Sequence, residues 1–235
     1  MKLREAGFLL KLLNSWEIFL LGIFGFLTRF FNLTFPPKVV FDEAHFGLYA
    51  SKYLSQQYYF DIHPPLGKML LALSGFLGKI QAGFDFAVNS DYGDFNFLAL
   101  RFLPALLGSF LVLLIYFLVK EMGFSKRIAF LSSFLVLFDN ALIVQSRFIL
   151  LDIVLVFFIF LSLYLFLLCK KFPIFSAKWC LFNLLTGLSL GTAISIKWTG
   201  IGVLALIWFL AFSEIILKES FKKVNLIKIF SLLVL

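Results

Sequence analysis

Residues 41–68, FDEAHFGLYASKYLSQQYYFDIHPPLGK, concentrate ionisable side chains in a chain that is 62% hydrophobic. Asp42 and Glu43 are adjacent, Asp61 follows, and both histidines of the chain, His45 and His63, lie here. A carboxylate pair suits general-base chemistry, one carboxylate accepting the proton of an attacking hydroxyl while the other orients a partner. The same pair equally suits a helix N-terminus with no catalytic role. Asp61 and His63 are two candidate ligands and fall short of a metal-binding set. A histidine before two prolines also reads as structural.

Four basic residues sit at the ends of long apolar runs: Arg29, Arg101, Arg147 and Lys197. Charges in or beside a membrane span are costly, and mark either function or an internal pair. A guanidinium can grip a phosphate bidentately and a lysine adds a point charge. Arg101 and Lys197 are therefore candidate anion ligands, whereas Arg147 has two possible partners in Asp139 and Asp152.

The elements that must position these groups are transmembrane helices. The 235 residues have a mean hydropathy of +1.01 and contain 34 phenylalanines. Apolar runs at about 15–34, 98–119, 127–146, 149–169, 180–198 and 201–217 approach or exceed the roughly 20 residues that cross a bilayer as a helix. An incomplete seventh begins near Leu226. Backbone groups in lipid must be paired, so these runs are read as helices. The fold class is all-α, a polytopic membrane bundle. The first run is too long for a cleaved signal and lacks a small-residue cleavage site.

Charge sets the orientation. With the N-terminus cytoplasmic and sides alternating, the cytoplasmic segments carry thirteen Lys/Arg against five Asp/Glu. The other side carries eight of each, so the net charge of +8 is accounted for by topology. Nucleic-acid binding is not required. Cys169 and Cys180 flank one cytoplasmic loop, where a disulfide is not expected.

Residues 35–97 then form a long non-cytoplasmic loop. Phe46, Tyr49, Ala50, Tyr53 and Leu54 recur with the period of an amphipathic helix lying at the membrane surface. Pro64-Pro65 suits the first turn of another, running to about Lys79. The stretch QAGFDFAVNSDYGDFNF reads as a loop. Gly187, Gly191, Ser195 and Thr199 form a small-residue stripe that suits close helix packing. No Walker loop, dinucleotide fingerprint, His-Glu-x-x-His or Gly-x-Ser-x-Gly occurs.

Four segments in order, VVFDEAHFGLYASKYLSQQYYFDIHPPLGK, LRFLPALLGS, LFDNALIVQSRFILLD and GLSLGTAISIKWTG, resemble the successive motifs of the protein O-mannosyltransferases. The resemblance runs from about Arg29 to Thr199. It implies the C-type glycosyltransferase (GT-C) fold, a multi-pass endoplasmic-reticulum location and a lumenal active site. It also implies inverting transfer of mannose from dolichyl-phosphate mannose to Ser/Thr hydroxyls of secretory-pathway proteins. By that similarity Asp42 and Glu43 are the catalytic motif and Arg101 is tied to the donor phosphate, with Lys197 and Arg29 as further donor-phosphate-binding positions. Asp61, His63 and Arg147 remain further candidates. No tightly bound cofactor or metal is expected, and pairing with itself or a related chain is. Members of the family continue with further spans and a lumenal β-trefoil (MIR) domain, so the chain is expected to be an N-terminal portion or a shortened form. The alternatives are another polyprenyl-phosphate-sugar glycosyltransferase, or a catalytically silent donor-binding subunit.

Overall fold

The computed structural model describes residues 16–218. The expected seventh span and the basic N-terminal residues lie outside them. Among the described residues nine α-helices follow in order: α1 (Trp16–Phe30), α2 (Glu43–Leu54), α3 (Leu66–Leu77), α4 (Leu98–Glu121), α5 (Lys126–Phe138), α6 (Asn140–Arg147), α7 (Asp152–Cys169), α8 (Ala177–Ile196) and α9 (Ile201–Lys218). A single 3₁₀ turn, Trp198–Gly200, joins α8 to α9.

Helices α4, α7 and α8 are each long and apolar enough to cross a bilayer, and α5 with α6 makes a fourth span if the bent pair is counted as one. The apolar residues of α4 lie all round it, because it is the hub: α1, α3, α5, α6 and α7 all pack on it. Close approach is set by small residues. A Cβ on Gly108 would fall 2.1 Å from Ser146 Oγ, so α6 rests directly on the α4 backbone. Ser109 Oγ donates to the Gly25 carbonyl at 3.2 Å and fastens α1 to α4.

The stretch 127–146 is not one helix. It breaks at Asp139, and its halves diverge by 57°. Asp139 has extended backbone, and its carboxylate caps the second half by accepting from Leu142 N at 2.8 Å. An aspartate offers the backbone this alternative to continuing a helix. The break strands the last carbonyls of α5 in an apolar setting, a cost that must be met by other donors.

The small-residue stripe does not pack as its spacing suggests. Gly191 is exposed, and a Cβ there would meet nothing. The face of α8 turned inward carries Asn183, Thr186, Ser189 and Ala193. Ser189 bonds Ser162 of α7 at 3.0 Å and the Phe158 carbonyl at 3.1 Å. Polar groups paired across the helices, rather than glycine contact, join α7 to α8.

Helices α2 and α3 pack on each other, and α3 rests on α4 and α8. The loop 81–97 is folded rather than loose. Phe86, Tyr92 and Phe97 are buried, and the Tyr92 and Phe97 rings stack at 4.2 Å. Phe86 presses on Gly47 of α2 so closely that a Cβ there would lie 2.2 Å from the ring. Val39 N donates to the Ser90 carbonyl and Tyr92 N to that of Pro37, which ties this loop to the segment before α2.

Candidate active site

The adjacent carboxylates have opposite surroundings. Glu43 is fully buried. Arg101 Nε donates to its Oε1 at 2.8 Å and Arg101 Nη2 to its Oε2 at 3.0 Å, a bidentate fork. Ile149 N at 3.0 Å, Val40 N at 3.0 Å and the Tyr92 hydroxyl at 3.2 Å complete its shell. Burial, then the Glu43 charge, pushes the Tyr92 phenol well above its ordinary range, so Tyr92 stays a neutral donor.

Arg101 is equally spent. Besides the two bonds to Glu43, it donates to the carbonyls of Leu33 at 3.1 Å, Pro36 at 3.0 Å and Lys38 at 3.3 Å. Those five bonds use the five N–H groups of a guanidinium. Its plane is also enclosed by aromatic rings, with Phe97 at 4.7 Å and Phe148 at 5.1 Å. The expectation that Arg101 grips the donor phosphate therefore meets a physical obstacle: no N–H is left for one. Arg101 instead folds the approach to α2 around Glu43.

Asp42 stands at the N-terminus of α2. Its backbone carbonyl accepts from His45 N and Phe46 N, at 3.0 and 2.9 Å. Its side chain makes no capping bond, and the residue is half-exposed. One turn on, the Phe46 ring lies 5.7 Å from Lys197 Nζ. Lys197, at the C-terminal end of α8, bonds Asp152 Oδ1 at 2.7 Å. The Lys197 side chain is 14% exposed and that of Asp152 36%, so this pair meets solvent where Glu43 and Arg101 do not. Asp152 starts α7, three residues after the Ile149 N–H that holds Glu43. The structure thus gathers Asp42, Glu43, Arg101 and Lys197 where α2 meets the ends of α4, α7 and α8.

Arg29 and Arg147 lie elsewhere. Arg29 is fully buried and donates to the carbonyls of Leu137 at 2.7 Å and Val136 at 3.1 Å, the carbonyls stranded by the break at Asp139. Arg147 takes neither aspartate. It donates to the carbonyls of Phe31 at 2.6 Å, Asn32 at 2.8 Å and Thr28 at 3.3 Å, capping the C-terminus of α1. Arg147 closes the end of Arg29's own helix, and Arg29 closes the helix that precedes Arg147's. Asp61 pairs with Lys68, which also donates to the His63 carbonyl at 2.8 Å. Burial alone would raise the Asp61 pKa, but the hydrogen bond and charge of Lys68 prevail and hold it below its ordinary value. Among the described residues no three His, Cys, Asp or Glu side chains come together as metal ligands.

The sequence reading passed over Lys68, Tyr92 and the Lys197–Asp152 pair, and gave Phe46 only as a packing position of α2. Lys68 carried a signal, being a lysine on the side that is not enriched in basic residues. Tyr92 carried none, since it reaches Glu43 from 49 residues away.

A family model described as dolichyl-phosphate-mannose-protein mannosyltransferase matches residues 19–235. The chain belongs to this family. Dolichyl-phosphate-mannose–protein mannosyltransferase 3 of Saccharomyces cerevisiae is 39% identical over 197 residues, 82% of this chain and 26% of the relative. Protein O-mannosyl-transferase 2 of Danio rerio is 38% identical over 187 residues, covering 77% and 24%. The chain thus spans about a quarter of the length of the curated relatives it matches. The solved S. cerevisiae protein O-mannosyltransferase Pmt1-Pmt2 complex bound to the sugar donor superposes with a TM-score of 0.84 at 33% identity, over 92% of this chain and 30% of that one. The Archaeoglobus fulgidus oligosaccharyltransferase superposes at 0.65 with 17% identity over 85% and 26%, a likeness of fold. The bundle is a GT-C fold.

Proposed function

We propose that this chain carries the donor-side catalytic site of a protein O-mannosyltransferase, with Asp42 as the general base. The observation that carries the assignment within the Asp-Glu pair is the contrast in bonding. Glu43 accepts five hydrogen bonds and is sealed, whereas Asp42 is half-exposed with no side-chain cap bond. A base needs a free lone pair and access to the incoming hydroxyl.

In this reading a Ser or Thr oxygen attacks the anomeric carbon of dolichyl-phosphate mannose from the face opposite the phosphate. The hydroxyl proton passes to Asp42. The bond from the anomeric carbon to the phosphate oxygen breaks, and dolichyl phosphate leaves with the electron pair. The configuration inverts. Lys197 exchanges Asp152 for the growing phosphate charge, which is electrostatic stabilisation at the leaving group. Arg101 and Glu43 act one step back, fixing the start of α2, and Arg29 secures α5. The site faces the lumen of the endoplasmic reticulum if the N-terminus is cytoplasmic. The donor is a substrate, and acceptor polypeptide and a second mannosyltransferase chain are the partners. The relatives' solved complex, which pairs two chains, supports the last.

The test is transfer of labelled mannose from dolichyl-phosphate mannose to a Ser/Thr-rich peptide by membranes containing the chain, with Asp42→Asn and Glu43→Gln in parallel. Loss in Asp42→Asn with donor binding retained is the expected result. Full transfer by Asp42→Asn would sink the assignment. The quarter-length match supports a second reading, a donor-binding unit that transfers only when joined to further segments or a partner. Donor binding without transfer in the wild-type chain distinguishes it.

A further inference from the structure

Between α2 and α3 the chain is neither helix nor turn from Gln57 to Asp61, and its side chains alternate. Tyr58, Phe60 and Ile62 are 89%, 78% and 71% exposed, whereas Tyr59, Asp61 and His63 are half-buried. That is the two-residue period of a strand. Yet from Tyr58 to Asp61 no main-chain N–H or carbonyl bonds another main-chain group among the described residues. The ends of the segment are held firmly. Gln57 N donates to the Lys52 carbonyl at 2.9 Å, and the Trp198 indole donates to that of Ile62 at 3.0 Å. Lys68, itself buried, takes Asp61 and the His63 carbonyl. The middle is thus a short non-helical segment of alternating exposure whose main chain has no main-chain partner among the described residues.

A cavity of about 530 Å³ opens beside it, with Lys52, Gln56, Gln57, Asp61, His63 and Lys68 in its lining. His63 Nδ1 is buried there without a hydrogen-bond partner. Lys68 is neutralised by Asp61, but Lys52 has no ion pair among the described residues, so the lining keeps one uncompensated positive charge. At its far end the segment is continuous with the candidate active site, because Trp198 follows Lys197 directly.

We propose that this edge docks an extended stretch of the acceptor polypeptide, main chain to main chain along Tyr58–Asp61, with an acidic or hydroxyl-bearing side chain in the cavity. The proposal rests on the mannosyl-transfer reading for the identity of the acceptor. Strand addition is the mode in which an exposed edge gives affinity while pockets give preference. It is largely blind to sequence, as suits a substrate class of many sequences. The other occupant to consider is the membrane surface, against which the apolar row Tyr58, Phe60, Ile62 could lie. Lipid, however, would leave the main-chain donors and acceptors unpaired at a cost that a polypeptide removes.

The experiment uses the chain reconstituted in lipid nanodiscs and a fluorescent Ser/Thr-containing peptide bearing one glutamate. Binding is compared with that of the same peptide N-methylated at alternate backbone amides, and donor binding is read separately with labelled dolichyl-phosphate mannose. We expect N-methylation to weaken peptide binding about tenfold, as loss of one or two hydrogen bonds does. Lys52→Glu should weaken the glutamate peptide about tenfold and favour its lysine counterpart, with donor binding unchanged. Equal binding of the methylated peptide, or indifference to Lys52→Glu, would overturn the docking edge. So would a photoreactive side chain at position 60 that labels lipid and never peptide. Peptide binding that follows the expected pattern without donor binding would instead retire the mannosyl-transfer reading and leave the edge standing.

Discussion

Two ion pairs, Glu43–Arg101 and Asp152–Lys197, differ in almost every respect. Glu43 and Arg101 are fully buried, joined twice, and saturated by backbone and tyrosine partners. Lys197 and Asp152 share one bond at 2.7 Å and stay partly open to solvent. A saturated pair has no valence left for a substrate, so its work is architectural. An unsaturated pair at the surface can trade its partner for a ligand of the same charge. The difference teaches that a charged residue in a site motif is assigned by its remaining donors and acceptors, not by its presence.

The largest effect that would break this comparison concerns catalysis. Asp42→Asn should lower transfer by about 10²–10⁴-fold, the usual worth of a positioned base, with thermal stability in detergent unchanged. Unfolding by the same variant would move Asp42 to the architectural side. Arg101→Ala should do the reverse, costing about 3–5 kcal/mol of stability because Glu43 would be left buried and uncompensated. A thermal melt close to that of the wild type would show the pair to be dispensable. Lys197→Met should sharpen the contrast, reducing donor affinity by about ten- to a hundredfold through loss of one charge-assisted bond, with little change in stability. Arg29→Leu should behave as an architectural change remote from the donor, leaving two carbonyls unpaired at about 1–3 kcal/mol each, with donor affinity retained in the folded fraction. Loss of donor binding in fully folded Arg29→Leu would return Arg29 to the donor site.

The smallest effect is a pH dependence. The Asp61 carboxylate is depressed in the folded state by Lys68. Its contribution is therefore present above the unfolded carboxylate pKa of about 3.9 and is lost as pH falls through the lower folded value. Melts collected below about pH 4 should converge for the wild type and Asp61→Asn, and diverge above it. Parallel curves throughout that range would remove the Lys68 bond from the account.

The helices and the site motif were legible because their signals are local. Apolar length gave α4, α7 and α8, and Phe46, Ala50 and Tyr53 gave α2. The assignments within the motif were not legible, because the partners that decide them are distant. Glu43 is held from Tyr92, Arg101 and Ile149, up to 106 residues away. The break at Asp139 was also hidden, since an apolar run reads the same whether it is straight or bent, and the capping carboxylate is one residue within it. The offset of the α8 packing face had a similar cause. Small residues permit close contact, but the hydroxyl pairing of Ser162 with Ser189 chose the face.

The cap that Arg29 places on α5 has a consequence for how the protein is made. Its two carbonyl partners lie 107 and 108 residues further along the chain. At roughly 5–20 residues per second of synthesis, the first helix waits about 5–20 seconds before they emerge. During that interval a guanidinium near the membrane interior has to be sheltered by water, lipid headgroups or the insertion machinery. The third hydrophobic segment, for its part, arrives with a built-in defect that an earlier helix is waiting to mend. Biogenesis is therefore ordered, and a chain synthesised without its first helix should insert the bent pair poorly even though every residue of that pair is intact.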